Sequence, residues 1–110
     1  MLTATKPAMR GIPTSRGVAT GPARIILVSE DFNAIRLGDI VVCHALTTAS
    51  PIQLGAAGGI ITETGGALSN SATIARERGI PVVTAFEGAT TRIRDGQMVT
   101  IDGATGVVSL

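Results

Sequence analysis

The sequence has no tryptophan, no tyrosine and only two phenylalanines, Phe32 and Phe86. That leaves little aromatic surface on which a sugar or a base could stack. A single cysteine, Cys43, cannot close an internal disulfide, and its place inside an apolar run marks it as a core residue. The single histidine, His44, stands next to it, and two adjacent ligands cannot fill a tetrahedral shell. No metal and no cofactor is therefore expected. Charge is also sparse: nine basic residues against eight acidic ones leave a formal +1, and the basic residues are scattered. Nucleic-acid binding needs a basic stripe, so it is not expected. No apolar run approaches the roughly 20 residues of a membrane span, and the N-terminus lacks a signal-peptide core. A cytoplasmic protein without membrane contact is the expectation.

What is present is one domain's worth of apolar chain. A length of 110 residues supports a single core. Residues 1–10 show no periodicity and read as a loose lead-in, leaving 11–110 as the domain. The chain starts at Met1 and ends on a strand-like Val107-Val108-Ser109-Leu110, which suggests a free-standing gene product. Hydrophobic residues make up 45% of so small a chain, and that surplus has two outlets. One is a tight core; the other is an apolar patch used for ligand binding or for self-association as a homodimer.

Short apolar runs alternate with glycine- and proline-marked breaks. Val18–Val28 reads as a β run beginning after a Gly21-Pro22 turn, and Ser29–Leu37 as a helical turn or loop ended by Gly38. Ile40–Cys43 is short and wholly apolar, as a covered strand would be. Thr47–Gly58 is expected to be a short helix capped by Ser50, with Pro51 at its first position. Gly59–Thr62 reads as a strand, Glu63–Leu68 as a loop, and Ser69–Arg78 as the main helix, closed by Gly79. Ala72, Ala75 and Gly79 are spaced to pack its small face. Pro81–Thr84 is a further strand and Thr91–Asp95 a turn. Met98–Ile101 is expected to pair with Gly106–Ser109 across Asp102-Gly103. The pattern argues for an α/β domain with few helices.

The chain is organised around Thr62–Val83, TETGGALSNSATIARERGIPVV. Paired glycines let backbone amides approach a ligand, and a helix start directly after them suits an oxygen carrying negative charge. Gly65, Gly66 and Ser69 with the amides at the helix start thus form an anion-site candidate; the alternative is that the glycines only make a tight turn. His44 follows the Ile40–Cys43 strand, and loops at the carboxyl ends of such strands gather at one rim. It is a candidate acid or base there, or simply a surface histidine at a strand end.

The same stretch resembles the signature of the phosphohistidine swivelling (mobile) domain of the phosphoenolpyruvate-utilising enzymes. That family includes pyruvate phosphate dikinase, phosphoenolpyruvate synthase, enzyme I and rifampin phosphotransferase. Its pattern, Gly-Gly-x-x-Ser-His-x-Ala-x-x-Ala-Arg-Glu-x-Gly-Ile-Pro, matches Gly65, Gly66, Ser69, Ala72, Ala75, Arg76, Glu77, Gly79, Ile80 and Pro81, with Asn70 in place of the family's phosphorylated histidine. Further resemblance lies in Gly11–Gly21, where Ser15-Arg16-Gly17 stands for Ser-Pro-Gly, in Gly38–Val42, and in the closing Asp95-Gly96-Gln97 and Asp102-Gly103. The resemblance implies a single-domain α/β chain with the family's β/β/α swivelling fold.

It also bears on function. An amide nitrogen delocalises its lone pair into the carbonyl, so Asn70 cannot form a usable phosphoramidate, though it can donate and accept hydrogen bonds. Asn70 either caps the helix or orients a bound polar group, and a deliberate His→Asn substitution is a further reading. Three functions follow. The first is a swivelling domain that has lost phosphotransfer and binds a small, largely apolar molecule, with a non-covalent cyclisation or isomerisation as the reaction it would suit. The second is a regulatory or spare subunit docked on a phosphotransfer partner protein. The third is an excised phosphocarrier domain. Under the first, the ligand is expected at a rim formed by the Gly65–Asn70 loop, the segment after Cys43 and the Ser15–Gly17 turn. Asn70 and His44 are its catalytic candidates. Gly65, Gly66, Leu68, Ser69 and Arg16 are its ligand-binding candidates, with Leu46 and Ile12 as apolar wall. Arg76 and Glu77 are expected to be solvated or paired within the domain.

Overall fold

The computed structural model describes residues 9–45, 56–64 and 70–110. Eight strands, a 3-10 helix at Ser29–Ala34 and two α-helices follow one another in this span. The strands are β1 (Met9–Arg10), β2 (Ile12–Ser15), β3 (Val18–Ile26), β4 (Ile40–Cys43), β5 (Gly59–Thr62), β6 (Val82–Thr84), β7 (Met98–Asp102) and β8 (Val107–Ser109). Helix α1 spans Asn70–Glu77 and α2 spans Ala89–Arg92. The expected helix at Thr47–Gly58 lies largely outside the described residues.

The strands form one sheet in the order β1-β8-β7-β3-β4-β5-β6-β2. Strands β1 and β2 stand at opposite ends of that order, yet only Gly11 separates them in the chain. The two ends therefore come together, and the Gly11 amide donates to the Gly106 carbonyl at 2.8 Å. The sheet nearly closes on itself, which leaves little exposed strand edge. This is the mixed α/β swivelling architecture that the resemblance implies.

Strand β3 joins the two halves. Its first part, Val18–Pro22, pairs antiparallel with β7, and Ala23–Ile26 pairs parallel with β4. Gly21-Pro22 is thus not a turn, contrary to the sequence reading; it sits inside the strand where pairing passes from one neighbour to the other. Proline has no N–H to give to a ladder, and this junction is where one is least missed. A β-carbon on Gly21 would strike the Gly38 carbonyl, so the strand can pass there only as glycine. Likewise the lead-in is not loose to its end, because Met9–Arg10 pairs with β8.

Strands β4, β5 and β6 run parallel, in register Val42↔Ile61 and Ile61↔Val83. All their residues are buried. Successive side chains feed two cores: Ile40, Val42, Ile61 and Val83 point into the closed interior with Phe86, Ile93, Val99 and Ile101. Val41, Cys43, Ile60 and Val82 face outward, against Ala75 of α1 and Ile80. Burial on both faces explains the unbroken apolar runs in the sequence.

Helix α1 ends as expected at Gly79, by a specific device. The Ile80 amide reaches back to the Ala75 carbonyl at 2.9 Å and the Gly79 amide to the Arg76 carbonyl at 3.2 Å, with Gly79 at φ 73°. That is a Schellman cap, which calls for a left-handed residue. Gly79 is exposed, so the cap rather than close packing accounts for it; Ala75 alone, among the described side chains of that trio, is a packing residue. The expected turn at Thr91–Asp95 begins as a helix, because α2 occupies Ala89–Arg92. The terminal hairpin forms, but with a longer turn than expected: Thr100 pairs with Ser109 and Asp102 with Val107, so Asp102 belongs to the strand and residues 103–106 make the turn.

Candidate functional site

Parallel pairing brings the carboxyl ends of β4 and β5 side by side, and the pairing continues one residue further. The Glu63 amide donates to the Cys43 carbonyl at 3.0 Å and the Thr64 amide to the His44 carbonyl at 3.1 Å. The Thr64 hydroxyl donates to the same carbonyl at 3.0 Å. His44 and Glu63 therefore stand as neighbours on the rim, and His44 Nδ1 lies 3.1 Å from Glu63 Oε1.

The other carboxylate oxygen is held from a third segment. Glu63 Oε2 accepts from the Thr90 backbone amide at 2.9 Å and from the Thr90 hydroxyl at 2.7 Å. Thr90 is the second residue of α2, whose N-cap is Gly88, a residue with no side-chain oxygen to cap the helix. Glu63 supplies that oxygen from across the sheet, satisfying an amide that would otherwise lack a partner.

What delivers α2 to Glu63 is a backbone turn at Ala85, which adopts φ 55°. The left-handed region is unfavourable for a residue with a β-carbon, by about 1–2 kcal/mol. Here it lets the Ala85 amide reach the Thr64 carbonyl at 3.1 Å and the Phe86 amide the Thr62 carbonyl at 2.9 Å. The chain leaving β6 is thereby folded over the end of β5.

The electrostatics follow from this packing. Glu63 is only 17% exposed at its side chain, whereas the His44 ring is 76% exposed. Burial pushes the Glu63 carboxyl up, but the Thr90 hydroxyl, the Thr90 amide and His44 together outweigh it and hold the group below its ordinary value. Glu63 is thus ionised at neutral pH. The adjacent Cys43 thiol is pushed up to about 12, first by burial and then by the Glu63 charge, so it is not a nucleophile.

Beside Thr90 lies a groove of about 520 Å³, lined by the apolar Ile25, Leu27, Ala34 and Ile93, by Thr90, and by the charged Arg24, Asp31, Arg94 and Asp95. Leu27 follows the carboxyl end of β3, which runs parallel to β4, so groove and dyad share one rim. Ile12 joins the same rim, because β2 runs antiparallel to β6 and pairs Ile12 with Thr84. Its side chain is 53% exposed.

The remaining sequence-stated site residues divide clearly. Asn70 is the first residue of α1, so its backbone begins the helix as expected. Gly65, Gly66, Leu68, Ser69 and the wall residue Leu46 lie outside the described residues. Arg16 is not brought to this rim. The antiparallel direction of β2 carries Ser15 to Val82, the opposite end of the parallel strands. There Arg16 lines a groove with Thr14, Ser15, Arg76 and Gly79, at the far end of α1. Eight residues of helix place it about 12 Å of axial rise from the helix start. Arg76 and Glu77 are exposed. Among the described residues no group of three metal-ligating side chains occurs, and no helix is long and apolar enough to cross a membrane.

Glu63, Thr90 and the groove escaped the sequence reading. Glu63 looked like the first residue of a loop, and nothing local to Thr90 signals a carboxylate twenty-seven positions away.

Comparison with known proteins decides the family. The model of the PEP-utilising enzyme mobile domain matches residues 35–106. The chain belongs to that family. Among relatives, the uncharacterized phosphotransferase YvkC of Bacillus subtilis is 44% identical over 91% of this chain, but over only 12% of its own length. Rifampicin phosphotransferase of Streptomyces sviceus is 39% identical over 94% of this chain, and phosphoenolpyruvate synthase of Aeropyrum pernix 38% identical over 91%. In both, too, the match spans 12% of the relative. The mobile-domain fold recurs in the solution NMR structure of a UPF0107 protein, with TM-score 0.75, 18% identity and coverage of 94% of this chain and 98% of that one. Aconitase X of Thermococcus kodakaraensis, in its holo-form, gives TM-score 0.70 at 20% identity, with the same coverage of both chains.

Proposed function

We propose that this mobile domain has lost phosphocarrier activity at position 70 and uses the carboxyl rim of its parallel strands to bind a small, largely apolar molecule. The observation that carries this reading is the groove beside Thr90, joined through Glu63 to His44 at the rim where α1 begins. A volume of about 520 Å³ falls in the range of small-molecule sites. Its lining sets apolar Ile25, Leu27, Ala34 and Ile93 among the charged Arg24, Asp31, Arg94 and Asp95, so it suits a molecule with an apolar body and a polar handle. Asn70, at the family's histidine position, would act as a hydrogen-bonding group near the helix start, in company with Gly65, Gly66, Leu68 and Ser69. His44 is the group suited to moving a proton, so an isomerisation or cyclisation without a covalent intermediate is the chemistry this site would serve. Arg16, at the other end of the sheet, drops out of the ligand-binding set.

Two measurements test the reading together. Incubation with phosphoenolpyruvate and a phosphotransferase relative, followed by intact-mass analysis, should leave the chain unmodified. A screen of small apolar carbonyl compounds by methyl NMR should move Ile25, Ile93 and Thr90. Acid-labile phosphate on the wild-type chain, or shifts confined to the terminal hairpin, would sink it.

A second reading has its own support. The match covers 12% of YvkC, so in that relative the domain is part of a much longer chain. Docking of this domain on a phosphotransfer partner protein is the corresponding function. Co-purification with such a partner at defined stoichiometry, and no small-molecule shifts, would favour it.

A further inference from the structure

The geometry points to Glu63 as a positioning residue that fixes the tautomer of His44. We infer that the pair acts as a proton-transfer dyad on an apolar carbonyl compound with an acidic C–H next to its carbonyl. The inference rests on the rim being the ligand site: His44 does not itself line the groove but is joined to it through Glu63 and Thr90, so the molecule must extend from the groove to the exposed ring.

The argument starts at Thr90. Its amide and hydroxyl both point at Glu63 Oε2, at 2.9 and 2.7 Å, so that oxygen is committed as an acceptor. The second oxygen, Oε1, is then free to meet His44 Nδ1 at 3.1 Å. An ionised carboxylate can only accept, so the neutral imidazole must carry its proton on Nδ1. Its lone pair is left on Nε2, on a ring that is 76% exposed. The chain's one histidine is thereby set as a base, with the charge it gains on protonation facing a fixed carboxylate.

The step balances without a cofactor. The Nε2 lone pair takes the proton from the carbon beside the carbonyl, the C–H electron pair becomes the enolate, and the Nδ1 proton stays shared with Glu63. The imidazolium returns its proton to carbon or to the enolate oxygen, regenerating the neutral ring. With the same carbon the result is exchange; with another it is isomerisation.

The variant Glu63→Gln separates positioning from mere structure. Two Thr90 donors require the amide oxygen on their side, which turns the amide nitrogen toward His44. The ring must then accept on Nδ1 and carry its proton on Nε2, so the base is removed without removing the histidine. Nitrogen-15 NMR of the neutral ring should show Nδ1–H in the wild type and Nε2–H in Glu63→Gln. Cyclohexanone in deuterated buffer is the probe for the reaction. Exchange of the protons beside its carbonyl should run about a hundredfold faster than with equimolar free imidazole, at the low end of what a positioned base contributes. It should fall to the imidazole level in Glu63→Gln.

An Nε2–H tautomer in the wild type overturns the inference, and that measurement needs no variant to fold. So does exchange that is equal in both proteins, or no faster than with imidazole. Phosphorylation of His44 Nε2 by phosphoenolpyruvate and a relative would make it a nucleophile instead, and also overturns it. The ligand-binding reading has its own separate failure: the methyl groups of Ile25, Ile93 and Thr90 unmoved by every carbonyl compound tried.

Discussion

Replacing Glu63 by leucine removes both carboxylate oxygens from the rim and tests the linkage between site and fold. The Thr90 amide loses its 2.9 Å acceptor at the start of α2, the equivalent of losing a helix cap, which costs about 0.5–2 kcal/mol. The Thr90 hydroxyl loses its 2.7 Å acceptor but is half-buried and can turn to water, adding roughly 0.5 kcal/mol. The His44 pair adds little, because that ring is largely exposed. A loss of about 2 kcal/mol near pH 7 is expected, or roughly 8 °C in melting temperature for a domain of this size. Glu63 titrates below its ordinary value of 4.5 in the folded protein. A lowered folded value means that the ionised form is preferred by the fold. Its contribution is complete above about 4.5 and is lost as pH falls through the folded value. Urea unfolding of both proteins, in steps from about pH 7 down to about pH 3, should therefore show their stability difference shrinking at the acid end. Other carboxylates titrate alike in the two proteins and cancel. A difference that stayed constant across the range, or grew toward acid, would refute the assigned role of the Glu63–Thr90 contact.

Asn70→His should fold at little cost, because Asn70 is the first residue within α1 and not the N-cap before it, checked by a cooperative thermal transition; loss of that transition would make Asn70 a structural residue. A β-carbon at Gly79 would meet nothing within 4 Å, so Gly79→Ala should cost only the left-handed backbone, about 1 kcal/mol, and Gly79→Asn less. Chemical denaturation of the pair checks it, and equal costs would contradict the cap. Cys43, buried and with its thiol pushed up to about 12, should resist iodoacetamide in the native state and react once unfolded in urea. Arg24→Met should destabilise the chain by about 1.5–3 kcal/mol, because Asp39 is buried and would keep only the Arg36 amide of its two side-chain partners; a neutral effect in urea unfolding would show that water replaces the guanidinium.

Local chemistry was enough for much of this. The apolar runs at Ile40–Cys43 and at residues 59–61 announce strands covered on both faces, where a polar side chain survives only with a partner, as buried Thr62 has in the Thr64 carbonyl. Gly79 followed by Pro81 marks a helix end and a strand start, because one backbone conformation and one missing N–H permit little else. The ordered motif from Gly65 to Pro81 carries the family, and His44 was legible as a residue at a strand's carboxyl end. The direction of each strand and the contacts between distant segments were not. Only the antiparallel run of β2 decides that Ile12 reaches the working rim and Arg16 the opposite one. Gly21-Pro22 has the composition of a turn but lies within a strand, because pairing with β7 and then β4 holds it extended. Glu63 became part of a site because Ala85 turns the chain back over β5 and sets the start of α2, with a glycine at its N-cap, against that carboxylate. Propensity and periodicity report what a residue's neighbours in sequence allow. A carboxylate that caps a helix from another strand depends on neighbours in space, which exist only once the sheet has closed.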